Sequence, residues 1–351
     1  MAHSKAVLVT GGAGYIGSHT CKALARAGFT PVTYDNLVHG HSWAVRWGPL
    51  VRGDLANQAL LTDTLLRYSI TAVIHFAAFA YVGESMSAPG KYFTNNVSNT
   101  LTLLEAMQHA QVDKIVFSST CATYGMPDKV PIDENQVQKP INPYGESKFF
   151  VERMLQWWGK AHGLRWTALR YFNAAGADRD GDIGEDHEPE THLIPIAIQT
   201  AMGLRGALEI FGCDYPTADG TAVRDYVHVN DLATAHVAAL KRLQRGGDSL
   251  ALNLGTGTGH SVRDVVSMVE VFGGRVPVRM AAPRPGDPPI LVAAANRARD
   301  VLDWEPRHSS LDEIVSSAWR WHAQHNKRPA RVGSTVHEPV GMFPIALPIA
   351  P

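Results

Sequence analysis

The chain has 351 residues, 45% of them hydrophobic and 19% charged, with a formal net charge of -1. That suffices for a large buried core, in two domains or in one large α/β domain with an insertion, and it offers no basic field for nucleic acid and no polybasic patch for a membrane surface. The absence of a charged field leaves a small molecule as the expected partner, and three scattered cysteines, Cys21, Cys121 and Cys213, with no CxxC pair argue against both a disulfide framework and a zinc site.

The N-terminus, Met1-Ala2-His3-Ser4-Lys5, runs into a strand-like segment without the apolar stretch of a signal peptide, and no apolar run approaches the roughly 18 residues of a membrane span, so a cytoplasmic protein is expected. The first 35 residues read as strand, glycine turn, helix, strand: Ala6-Val7-Leu8-Val9, then Gly11-Gly12-Ala13-Gly14-Tyr15-Ile16-Gly17, a helical run ending at Gly28, and Pro31-Val32-Thr33-Tyr34-Asp35. Glycines at 11, 14 and 17 permit a tight turn, close approach of backbone amides to a pyrophosphate, and close packing of helix on strand, with the helix N-terminus toward the phosphates. Asp35, ending the second strand, is placed to bind a ribose 2′-hydroxyl and to repel a 2′-phosphate, which favours NAD over NADP.

Strand and helix signals then alternate. Leu50-Val51 leads to Asp54, a helix is expected over 60–68, a strand over 72–76 ending at Phe76-Ala77, a helix over 92–109 and a strand over 114–118 leading into Ser119-Thr120. Such alternation implies a doubly wound parallel sheet, whose ligands lie at the carboxyl ends of its strands. Asn142 is a good N-cap and Pro143 a good first helical residue, so the next helix begins there and runs through Trp158. A sixth strand, 166–170, delivers Tyr171-Phe172-Asn173 to the same sheet edge. After about Ala177 the pattern loosens before a helix over 193–203, and the chain returns to the first domain near 229–243 and 252–254. The expected organisation is a cofactor domain over 1–176 with return segments near 223–258, an interleaved substrate-binding domain over 177–325, and an irregular tail over 326–351.

At the start of the Asn142-capped helix, Tyr144 and Lys148 stand four residues apart and share a face. A tyrosine with a pKa near 10 is a poor base at neutral pH; a fixed cation beside it favours the phenolate and is expected to bring that pKa down. No metal is expected. Asp178-Arg179-Asp180-Gly181-Asp182 resembles the start of a calcium loop, but Ile183 holds the sixth position and Pro189 the twelfth. His187, Glu188, Glu190 and His192 fit no standard helical ligand spacing.

Taken together, Thr10 to His19, Asp35-Asn36-Leu37, His75-Phe76-Ala77-Ala78, Val82-Gly83-Glu84-Ser85, Asn95-Asn96-Val97, Ser118-Ser119-Thr120, Tyr144 to Lys148, Arg170 to Asn173, Asp219-Gly220-Thr221 and Arg224 to Val229 resemble the extended short-chain dehydrogenase/reductases, and within them the UDP-glucose 4-epimerases, over roughly residues 5 to 325. The resemblance implies a Rossmann-type sheet with a smaller, interleaved C-terminal substrate domain. It also implies tightly bound NAD contacted by Tyr15, Ile16, Asp35, Asn36, Asp54, Leu55, Phe76, Ala77, Asn95, Tyr144, Lys148 and Phe172. Thr120 takes the place of the family's Ser or Thr between sugar hydroxyl and tyrosine. Asn173, Leu193, Phe211, Arg224, Arg284 and Asp287 would meet a UDP-sugar, and guanidinium groups such as Arg224 and Arg284 suit a diphosphate on chemical grounds. The implied reaction is a hydride loan: Tyr144 removes the C4 hydroxyl proton, hydride passes from C4 to the nicotinamide, and it returns to the opposite face of a 4-keto sugar. In the family the helices over 92–109 and 144–162, here carrying Trp157 and Trp158, build a homodimer through a four-helix bundle.

Departures and rivals are specific. Ala80 stands where the family often has lysine, His192 where it often has asparagine, and Leu291 at the position that gates N-acetylated sugars, with Pro288-Pro289 complicating that alignment. Dehydratases and decarboxylases of this superfamily add a carboxylate just after the Ser/Thr; Cys121-Ala122-Thr123 supplies none, so epimerisation is expected. UDP-xylose/UDP-arabinose 4-epimerases share Ser118 to Gly125 and Ala80 to Ser85. A non-catalytic NAD-sensing regulator on this fold would be expected to have lost the tyrosine or lysine.

Overall fold

The computed structural model describes residues 5–284 and 286–325, so the tail expected over 326–351 lies outside the described residues. Its centre is a seven-stranded parallel sheet. Six strands come in chain order: β1 (Ala6–Thr10), β2 (Thr30–Asp35), β3 (Leu50–Arg52), β4 (Ala72–His75), β5 (Lys114–Thr120) and β6 (Arg165–Tyr171). With Leu250–Leu254 at the far edge, the order across the sheet is Leu250–Leu254, β6, β5, β4, β1, β2, β3. The chain starts at β1, winds outward through β2 and β3, then crosses to β4, so the order reverses between β1 and β4. A crevice opens at such a switch point beyond the strand ends.

The strand sequences are nearly continuous apolar runs because both sheet faces are covered. Val7, Leu8 and Val9 have no exposed surface, and neither do Val73, Ile74, Ile115 and Val116. On one face Leu8, Val73 and Phe117 pack with Leu61, Leu103, Met107, Val151 and Leu155 from the covering helices. On the other, Val7, Val9 and Val116 pack with Leu24 and with Leu232, Ala235 and Leu240 of the helix Val229–Gln244. The late chain therefore contributes to the core of the sheet.

A third core gathers Ala175, Ile194, Ile198, Val265, Val269, Ile314 and Val315 around the helices Leu193–Ala201, Val262–Gly273 and Leu311–His325. Short strand pairs tie this part together: Leu208–Phe211 with Val278–Ala281, and Val223–Arg224 between His260–Ser261 and Ile290–Leu291. Strands this short carry too few residues to show a period, and the sequence does not announce them. The helix expected over 92–109 is composite: Pro89–Tyr92, a wide π-type segment Phe93–Ser98, then Asn99–His109. The wide segment separates two adjacent asparagines: Asn95 lines the crevice, and Asn96 is buried against Ser147 Oγ and both backbone groups of Phe79.

Candidate active site

The crevice is a cleft of about 1690 Å³, and every residue assigned above to cofactor or substrate lines it. A volume beyond the roughly 300–1,000 Å³ of an ordinary single-ligand site leaves room for two ligands side by side.

At one end lies the glycine turn. Gly11 has φ +71°, and a Cβ there would stand 2.6 Å from Ala77 N; a Cβ on Gly17 would stand 2.1 Å from the Gly11 carbonyl oxygen. Both positions admit only glycine, so the backbone stays bare where a phosphate would approach. Gly14 is the extended N-cap of the helix Tyr15–Arg26, whose first residues Tyr15, Ile16 and Gly17 line the cleft. Asp35, buried at the end of β2, accepts hydrogen bonds from Ala13 N (3.0 Å) and Leu37 N (2.8 Å), and its burial raises its pKa against those bonds. Asn36 Nδ2 donates to Asp54 Oδ2 at 2.9 Å, joining the ends of β2 and β3.

The middle of the cleft holds Thr120, Tyr144 and Lys148. Asn142 caps the helix Pro143–His162 by accepting from Gly145 N at 2.8 Å, with Pro143 in its first turn, as the local sequence requires. A side chain on Gly145 would run into Ala122 O, 2.5 Å from its Cβ, so the helix start sits directly against the turn Cys121–Tyr124 that follows β5. Thr120 meets the Tyr144 phenol from that strand end. Lys148 is buried and donates to the Ser118 carbonyl at 2.8 Å.

The electrostatics differ from the expectation for this pair. Burial pushes the Tyr144 pKa well above the usual tyrosine range, with the Thr120 hydrogen bond opposing it, and burial pushes Lys148 down to about 7 against the pull of Glu152. Desolvation disfavours charge on both groups, so the lysine does not by itself deliver a phenolate. Beneath them lies an ion pair that sequence reasoning missed. Arg170 grips Glu152 through Nε (2.9 Å) and Nη2 (2.6 Å), and Ser119 Oγ donates to the same carboxylate at 2.5 Å. The i, i+4 spacing of Lys148 and Glu152 was the available signal.

At the other end, Arg224 Nη2 donates to Asp287 Oδ1 at 2.5 Å, the Arg284 guanidinium lies 3.9 Å from the Phe211 ring centroid, and Asn173 Nδ2 donates to Asp225 O at 3.2 Å. Leu193 opens its helix on this wall. Leu291 lines the cleft as well, packed on the cluster of Cys121, Tyr124, Ile132, Phe172 and Ala293. The acidic loop that resembles the start of a calcium loop is organised around Lys22, whose Nζ lies 2.5, 2.9 and 2.8 Å from Asp178, Asp180 and Asp182. An ammonium occupies the place where a cation would sit. Glu185, absent from the sequence reading, joins His187, Glu190 and His192 in a cluster on the cleft wall.

A doubly wound sheet with a bare glycine turn at its switch point, a threonine at the end of β5 and a Tyr–Lys pair in the first turns of the helix Pro143–His162 defines a nucleotide-cofactor enzyme of the short-chain dehydrogenase/reductase type. The chain belongs to the NAD dependent epimerase/dehydratase family, whose model matches residues 7–255. It is 53% identical over 322 residues to a UDP-glucose 4-epimerase of Rhizobium leguminosarum bv. trifolii, covering 92% of this chain and 98% of that one. Among solved structures, UDP-glucose 4-epimerase from Brucella ovis in complex with NAD superposes with a TM-score of 0.88 at 53% identity, covering 90% of this chain and 97% of that one. The UDP-glucose-4-epimerase from Stenotrophomonas maltophila, with bound NAD and formylated UDP-arabinopyranose, gives 0.88 at 40% identity, covering 92% and 98%.

Proposed function

We propose that this chain interconverts UDP-glucose and UDP-galactose by inverting C4 through a transient 4-keto sugar, with NAD retained throughout. The observation that carries the reading is the turn after Thr120. It offers Cys121, Ala122 and Thr123 where an elimination enzyme needs a carboxylate, and burial pushes the Cys121 thiol up to about 12, so Tyr144 is the one proton-transfer group supplied there.

The residues present fit NAD: the turn at Gly11, Gly14 and Gly17 would take its pyrophosphate, and Asp35 and Asn36 a ribose. Tyr15, Ile16, Asp54, Leu55, Phe76, Ala77, Asn95 and Phe172 would line the rest. Bound NAD supplies a hydride acceptor and donor and, in its oxidised form, a positive charge. That charge is what the protein's own groups lack for ionising Tyr144 against burial. Tyr144 then takes the C4 hydroxyl proton and later returns it, Thr120 orients that hydroxyl, and Lys148 keeps an ammonium under the site. Arg224, positioned by Asp287, and Arg284, laid over Phe211, would grip the diphosphate, while Asn173 and Leu193 bound the sugar. A pocket that holds the nucleotide firmly and the hexose loosely can serve both epimers.

We divide the chain accordingly into a cofactor part over 1–176 with return segments near 223–258 and a substrate part over 177–325. Exposed Leu101, Phe150 and Trp157 on the helices Asn99–His109 and Pro143–His162 support a homodimer through a four-helix bundle. Among the described residues no helix is long and apolar enough to cross a membrane. With Cys21, Cys121 and Cys213 all free thiols, this supports a cytoplasmic enzyme.

The test is to incubate purified protein separately with UDP-galactose, UDP-N-acetylgalactosamine and UDP-xylose, adding no cofactor, and to look for each 4-epimer. Conversion of UDP-galactose is expected, with the acetylated sugar turned over poorly. Conversion of UDP-xylose alone would transfer the assignment to the pentose reaction.

A further inference from the structure

Two Glu-x-His pairs, Glu185-Asp186-His187 and Glu190-Thr191-His192, flank a bend at Glu188-Pro189 and fold onto each other on the cleft wall. One donor atom from each of Glu185, His187, Glu190 and His192 lies within 4.8 Å of all the others. His187 Nδ1 stands 3.3 Å from Glu185 Oε1 and 3.7 Å from Glu190 Oε2; His192 Nδ1 stands 2.9 Å from Glu185 Oε1 and 2.8 Å from Glu190 Oε1. Zinc bonds of about 2.0–2.1 Å in a tetrahedron put neighbouring ligand atoms roughly 3.3 Å apart, and the three separations that use one oxygen of each carboxylate, 3.3, 2.9 and 2.8 Å, lie near that value.

In the metal-free cluster the two imidazoles sit between the two carboxylates as their ion-pair partners. The side chains of Glu185 and Glu190 are only 6% and 5% exposed, so two carboxylates face one another out of water. Between them points His187 Nδ1, a ring nitrogen with no exposed surface that lies within ion-pair distance of both carboxylates and is hydrogen-bonded to neither. Buried polar atoms of this kind usually have a partner, and one aimed between two carboxylates and a second imidazole is placed for a cation. Two carboxylates and two neutral imidazoles carry a charge of -2, which a divalent ion balances.

We propose that Glu185, His187, Glu190 and His192 form a structural zinc site. The donor set selects the metal: two imidazole nitrogens and two carboxylate oxygens suit zinc, whereas magnesium and calcium favour oxygen ligands throughout. Four protein ligands leave no open position, so the ion holds the loop and takes no part in the sugar chemistry. Supports around it are in place. Glu190 Oε1 also accepts from Thr191 N and His192 N at 2.8 Å each, Trp321 Nε1 donates to Glu185 O at 3.1 Å, and the His187 ring stands edge-on to Tyr15 and Tyr81. His192, 45% exposed, marks the side from which an ion enters. The site pins the segment that leads into the Leu193 helix.

The experiment uses the full chain without an affinity tag, dialysed against a chelator and then titrated with zinc or with cobalt(II) as a visible probe. The site predicts one ion per chain after gel filtration, a tetrahedral cobalt absorption band abolished by zinc, and a higher thermal unfolding midpoint with zinc. His187→Ala should weaken binding by more than the roughly 10–100-fold typical of losing an outer-shell partner. Glu190→Gln, which keeps the side-chain shape, gives the same readout should the alanine variant not fold, and bound NAD reports folding in both. Well under one equivalent of zinc on the native chain, or variants that bind it as tightly as the native chain does, would overturn the proposal without touching the epimerase reading.

Discussion

Lys148 Nζ donates to the Ser118 carbonyl at 2.8 Å, so the lysine expected to activate Tyr144 is anchored to the strand that also carries Thr120. The bond holds a buried ammonium under the tyrosine while burial pulls its pKa to about 7. Tyr144→Phe is expected to lower kcat by roughly 10²–10⁴-fold, the range for losing a positioned acid/base, and to leave bound NAD in place. Lys148→Met should lower both, because it removes the charge and strands the Ser118 carbonyl. Turnover and NAD released on denaturation, measured on the same preparations, separate the two roles; full activity of Tyr144→Phe would remove the catalytic assignment.

The glycine turn makes a second prediction. A methyl group on Gly17 would collide with the Gly11 carbonyl oxygen at 2.1 Å, and neither backbone can yield without opening the turn. Gly17→Ala should therefore purify with far less NAD than the native chain. A full NAD complement in a folded variant would show that the turn does not hold the pyrophosphate.

Acid should destabilise the fold. Burial pulls His75 and His228 down to about 3 and His19 and His236 to about 4. The unfolded chain, with imidazoles near 6.5, binds more protons than the native chain between those values, so each group costs roughly 1 kcal/mol of stability on going from pH 7.5 to 5.5. In the metal-free protein His187, raised instead, and His192, raised but 45% exposed and therefore screened by solvent, contribute stability present below 6.5 and lost toward 9 or 10, and oppose the trend over the same interval. Four groups against at most two leave a net loss of roughly 2 kcal/mol or more in the metal-free protein. Urea unfolding at the two pH values measures it, and a midpoint unchanged or higher at pH 5.5 would contradict it.

Leu291 closes the cleft beside Phe172 and Cys121. Leu291→Ala should raise kcat/KM for UDP-N-acetylgalactosamine relative to UDP-galactose by roughly 10-fold or more, the scale on which a few methylenes discriminate in a pocket. Equal ratios in the two proteins would place the gate elsewhere.

What could be read in advance followed from local rules. Gly11 and Gly17 announce the turn because only glycine fits there, and Asn142-Pro143 announces the helix because capping is a property of a few adjacent residues. The doubly wound sheet is legible in the alternation of Val9, Asp35, His75 and Thr120 strand ends with helical stretches. The ionisation of Tyr144 was misjudged because helical spacing reports a neighbouring lysine and says nothing of the burial that disfavours both charges. Lys22 among Asp178, Asp180 and Asp182 joins residues more than 150 positions apart, beyond any local pattern. The grouping of Glu185 with His192 escaped notice because a metal search by helical spacing does not register a loop that doubles back.

The central claim is that the hydrogen leaving C4 is the one that comes back. UDP-glucose carrying deuterium at C4, turned over in ordinary water by protein to which no cofactor has been added, tests it directly. The UDP-galactose formed should keep its deuterium at C4. Loss of the label to solvent would mean inversion by proton exchange, and the hydride loan would be wrong.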